Sequence, residues 1–79
     1  MRVLKEWSKE EIRISLFAWN NKYIIKFELG PMEQTFKVPE MDVLEEAELE
    51  VFWEGEFFEK VKTRFHEMGL SFREELGKL

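Results

Sequence analysis

"SLFAWNNKYIIKF", residues 15–27, decides how this chain folds. Two apolar runs flank the pair Asn20-Asn21. Upstream, Ile12, Ile14, Leu16 and Ala18 alternate with Arg13, Ser15, Phe17 and Trp19. Downstream, Tyr23, Ile25, Phe27 and Leu29 alternate with Lys22, Ile24, Lys26 and Glu28. A period of two, rich in β-branched and aromatic residues, predicts strands. Asn tolerates positive φ better than most residues, so Asn20-Asn21 suits a two-residue hairpin turn.

That turn dictates a register. Ala18 pairs with Tyr23, Leu16 with Ile25, Ile14 with Phe27 and Ile12 with Leu29, so the core candidates share one face. On the other face Phe17 meets Ile24, Ser15 meets Lys26, and Arg13 meets Glu28 as an opposite-charge pair. A slip of one residue would destroy both alignments.

Gly30-Pro31 interrupts the second strand. A third run, "QTFKV", follows and ends at Pro39. A connection of residues 30–33 would place Phe36 opposite Phe27 and Val38 opposite Ile25.

Beyond Pro39 the pattern turns helical. Asp42 with Glu45 three places later has the form of a capping box. Val43, Leu44, Ala47 and Val51 form a stripe, and Gly55 is a plausible break. Phe57, Phe58, Val61, Phe65 and Met68 share one face of the next helix. Gly69 reads as its stop, with Leu70 packing back. Ser71 and Glu74 read as the cap of a last short helix carrying Phe72, Leu76 and Leu79. The expected fold is α+β, in one domain over residues 1–79. A three-stranded antiparallel meander precedes two or three helices packed on one sheet face.

Size and composition narrow the function. A chain of 79 residues buries a smaller share of its surface than a large one, and its twelve aromatic residues suit an efficient core. Without Cys there is no disulfide or thiolate chemistry, and a cytoplasmic setting is favoured. The first residues, "MRVLKEWSKEE", hold no continuous apolar run of the kind a secretory signal needs. No stretch approaches the roughly 20 apolar residues of a membrane-spanning helix.

The formal net charge of −5 is unevenly placed. Residues 1–39 carry seven Lys/Arg against five Glu, a net +2; residues 40–79 carry five against twelve acids, a net −7. Such a balance disfavours a uniform polyanion-binding surface.

One His and no Cys exclude the usual zinc sites. Residues 40–59 hold nine carboxylates but lack the ligand spacing of a calcium loop. They read as a solvated acidic surface. There is no glycine-rich phosphate loop and no nucleophile-elbow serine, so no cofactor and no catalytic activity are expected. A meander followed by a helix also occurs in double-stranded RNA-binding domains. Those carry basic residues where this chain reads "EGEFFEK", which argues against RNA.

The second sheet face remains. It gathers Arg13, Phe17, Trp19, Lys22, Ile24, Lys26 and Lys37. In one reading Val3, Leu4 and Trp7 fold across this face and cover its rings. In a second, Trp and cations anchor a protein partner or a homodimer. In a third, the rings stack on single-stranded nucleic acid. The overall acidity disfavours the third. The sequence therefore points to a small protein-interaction module, with nucleic-acid binding as the alternative.

Overall fold

The computed structural model describes all 79 residues. The chain divides into two compact units, residues 1–49 and residues 50–79.

The first unit is a four-stranded antiparallel meander: β1 (Arg2–Lys9), β2 (Ile12–Trp19), β3 (Lys22–Leu29) and β4 (Met32–Pro39), ordered β1-β2-β3-β4 in space. The central hairpin has the register its sequence dictates, with Ile14 opposite Phe27, Leu16 opposite Ile25 and Phe17 opposite Ile24. Asn20 and Asn21 both adopt positive φ, 52° and 62°. That is the signature of a type I′ turn, whose twist matches that of the strands it joins.

Four strands form, not three. Residues 2–9 do not cross the second face; they extend the sheet at its β2 edge. Trp7 stands opposite Ile14 and Val3 opposite Phe17, which puts them on opposite faces. A bulge between Val3 and Lys5 shifts the register at Leu4. The β1–β2 turn is Glu10-Glu11, with φ of 49° and 71°. Both residues take the type I′ geometry without the Gly or Asn that normally announces it. Four charged residues in "RVLKEWSK" also dilute the alternation by which a strand is recognised.

The β3–β4 connection is shorter than residues 30–33. Leu29 pairs with Met32, leaving Gly30-Pro31 as a two-residue turn. Gly30 has φ of 59°, and the proline ring holds the next φ negative, the order of a type II′ turn. The register moves by two residues: Phe36 faces Ile25, Val38 faces Tyr23, and Gln34 faces Phe27. The period of two keeps the same side chains on the core face. Phe36 meets Phe27 diagonally, edge to face, with ring centroids 6.1 Å apart. On this face Ile12, Ile14, Leu16, Ile25 and Phe27 are fully buried. No buried side-chain nitrogen or oxygen lacks a hydrogen-bond partner.

After β4 the backbone N–H of Glu40 donates to Asn21 O at 3.0 Å, tying the strand's end to the central hairpin tip. The helices differ from the pattern read for them. Glu40–Asp42 is one 3₁₀ turn, and Glu46–Phe52 is a 3₁₀ helix. Asp42 does not cap it. Glu48 does, its carboxylate accepting from the backbone N–H of Leu44 at 2.6 Å and of Glu45 at 2.8 Å. This is the acidic half of a capping box, one turn later than Asp42 and Glu45 suggested. Glu46, Glu50 and Glu54 recur every four residues, a like-charge spacing that disfavours an α-helix here.

In the second unit the chain breaks at Gly55, whose φ is 76°. A single helix, α1 (Glu56–Leu76), follows. Phe58, Val61 and Phe65 recur along one face and are buried. Phe52 packs edge to face on Phe57, with centroids 5.0 Å apart. Gly69 does not stop the helix, and no separate last helix starts at Ser71. The Ser71 hydroxyl donates back to the carbonyls of Glu67 and Met68, at 3.3 and 3.1 Å, which keeps it within the helix. No helix is long and apolar enough to cross a membrane.

Candidate interaction face

The second sheet face is laid out in four cross-strand rows. Val3, Phe17, Ile24 and Lys37 form one row. Trp19, Lys22 and Pro39 form the row beyond it, at the end of the sheet. On the other side lie Glu6, Ser15, Lys26 and Thr35, then Ser8, Arg13, Glu28 and Glu33. All seven residues singled out in the sequence therefore share one face, but they do not form one uniform platform.

The middle rows are occupied by their own neighbours. Ile24 is buried between Phe17 and Lys37 in register, and Phe17 is half-buried. The Lys26 ammonium sits 5.7 Å from the Phe17 ring centroid and 3.8 Å from a Glu28 carboxylate oxygen. Arg13 forms an ion pair with Glu6, donating from its guanidinium at 2.5 Å. Arg13 and Lys26 thus spend their charge within the sheet. Ser15, the small member of its row, is buried.

The end row differs. Trp19 is 52% exposed, and Val3, diagonal to it on β1, is 53% exposed. Lys22, directly opposite Trp19, is exposed and makes no ion pair within the chain. Two open grooves meet at this end of the sheet. One, of about 390 Å³, is lined by Met1, Arg2 and Trp19 together with the central hairpin tip and Glu40. The other, of about 410 Å³, is lined by Asn21, Pro39, Glu40 and Met41. Arg2 is exposed and lacks an ion pair, like Lys22.

Arg2, Glu40 and Met41 join this corner through topology alone. Arg2 reaches the level of Ala18 because β1 runs the full length of β2. Glu40 arrives there through its bond to Asn21. The adjacency of Pro39 and Glu40 to the hairpin tip follows from the β3–β4 register, which a four-residue connection hid.

No group of three or more His, Asp or Glu side chains is arranged to hold a metal ion. The corner's chemistry is that of an exposed indole opposite Lys22, beside a groove that Arg2, two amides and one carboxylate also line. Trp and Arg are the side chains most enriched at protein-binding hot spots. No family model, curated protein or solved structure matches this chain.

Proposed function

We propose that the chain is a non-catalytic protein-binding module. Its recognition surface is the sheet corner around Trp19, with Arg2 and Lys22 beside it. The observation that carries this reading is a half-exposed tryptophan directly opposite Lys22 on one face, with Arg2, in register with Ala18 on the other face, lining the groove at the same end of the sheet; neither cation has an ion pair within the chain. An indole offers a large contact area, and the two cations favour a partner segment carrying carboxylates next to an apolar side chain.

The distribution of charge along the face supports protein over nucleic acid. A single strand needs cations spaced along its backbone track. Here the far rows hold Glu6, Glu28 and Glu33, and two of the cations are already paired with Glu6 and Glu28.

A displayed random-peptide library tests the proposal. Selection should enrich acidic peptides with an apolar anchor. Their binding should shift the Trp19 indole resonance in nuclear magnetic resonance spectra and be lost in the folded Trp19→Ser and Lys22→Glu variants. Peptides that bind unchanged to both variants would overturn the reading. Short oligonucleotides shifting Trp19 and Lys22 with steep salt dependence would replace it with single-strand binding.

A further inference from the structure

The sheet has two edges, and they are not equivalent. The β1 edge is interrupted by the bulge at Leu4, a device that discourages a further strand from adding. The β4 edge has no such interruption: Met32 to Pro39 pair with β3 in one unbroken register.

That register tells which backbone groups of β4 are free. In a hairpin closed by a two-residue turn, the pair flanking the turn exchanges hydrogen bonds, and bonded pairs then alternate with non-bonded ones. Leu29–Met32 flanks the turn, so Met32, Gln34, Phe36 and Val38 direct their N–H and C=O groups to β3. Glu33, Thr35 and Lys37 direct theirs outward. All three are exposed, and no other segment of the chain donates to or accepts from their backbone. Pro39, which has no N–H, falls in a non-bonded pair, as this pattern requires.

The side chains of these three residues are self-complementary. Glu33 lies opposite Glu28, a like-charge neighbour, and has no ion pair within the chain. Lys37 lies opposite Ile24 and has none either. They sit two residues to either side of Thr35. We propose that two copies of this chain join antiparallel along β4, about a two-fold axis at Thr35. Glu33 of each copy then stands opposite Lys37 of the other, and Thr35 meets its own counterpart. The outward N–H and C=O groups of these residues bond across the axis, making one eight-stranded sheet. On the core face Met32 meets the other copy's Val38, and Gln34 meets its Phe36. All four keep the face they hold in the monomer, because a two-fold axis normal to the sheet preserves faces.

This proposal is independent of the Trp19 corner, and its test separates the two. The mass of the wild-type protein is measured by light scattering across a dilution series. It should approach twice the 9.6 kDa of the chain. Lys37→Glu places two like-charge contacts at the joint and should weaken dimerisation about tenfold. Adding Glu33→Lys to it exchanges the charges and should restore the dimer. Thr35→Pro removes an outward N–H without touching the β3–β4 ladder, so it should give a folded monomer. Trp19→Ser should leave the mass unchanged. A wild-type protein that stays monomeric at every concentration overturns the proposal. So does a dimer indifferent to Lys37→Glu.

Discussion

Trp7 stands directly opposite Ile14, on the face of the sheet that Trp19 does not share. This one pairing disposes of the N-terminal segment as a cover for the second face. It also separates two tryptophans that lie only twelve positions apart. Trp7 is half-buried, with the Lys5 ammonium 4.6 Å from its ring centroid, whereas Trp19 is mostly open to solvent.

The two tryptophans should therefore differ in their effect on stability. Trp7→Ala should cost about 2 kcal/mol, below the full cost of removing a buried ring because Trp7 is only half-buried. Trp19→Ala should cost less than about 1 kcal/mol. Urea midpoints of the two variants, compared at equal slope, check this. Equal losses would mean that Trp19 belongs to the core.

The turn at Glu10-Glu11 holds two side-chain-bearing residues at positive φ, and it sets two carboxylates side by side. Left-handed backbone costs an ordinary residue about 1 kcal/mol or more. Replacing the pair by Asn-Gly, the preferred type I′ sequence, should raise stability by about 1–2 kcal/mol. A thermal melt reads the gain directly.

Gly69 lies inside α1 at negative φ, and the nearest atoms a Cβ there would meet are those of the Arg73 guanidinium, at 3.2 Å. That contact is the far end of a flexible side chain. Gly69→Ala should therefore stabilise by about 0.5–1 kcal/mol through helix propensity, visible as a higher denaturation midpoint. A loss instead would show that Arg73 cannot move aside.

Glu48 alone satisfies the N–H groups of Leu44 and Glu45 from its side chain. Glu48→Ala should cost about 1 kcal/mol, and Glu48→Gln less, because an amide oxygen still accepts. Asp42→Ala, at the position the sequence marks as a cap, should be close to neutral. Amide exchange at Leu44 and Glu45 should quicken only in the Glu48 variants.

The central hairpin was fully legible because two independent signals agreed there. Alternation named the faces, and Asn20-Asn21 named the turn. Both were local. At β1 the turn signal was missing, since Glu10-Glu11 takes a geometry its residue types resist. At β3–β4 the signal was present, but Pro31 read as a breaker and not as the second residue of a tight turn. In α1 Gly69 does not end the helix, because one glycine costs about 1 kcal/mol, too little to break a helix of 21 residues.

The sequence by itself determined which side chains go to which face of β2, β3 and β4, because a period of two survives even a register error of two residues. It determined the seven candidate residues as one face for the same reason. Only the tertiary structure decided which of them remain available. Arg13 and Lys26 meet Glu6 and Glu28 across or along strands, and Ile24 is buried. Trp19 and Lys22 stay open because their row lies at the sheet's end. Exposure depends on what lies beside a residue in space, and β1 took its place beside β2 through a turn that its residue types did not announce.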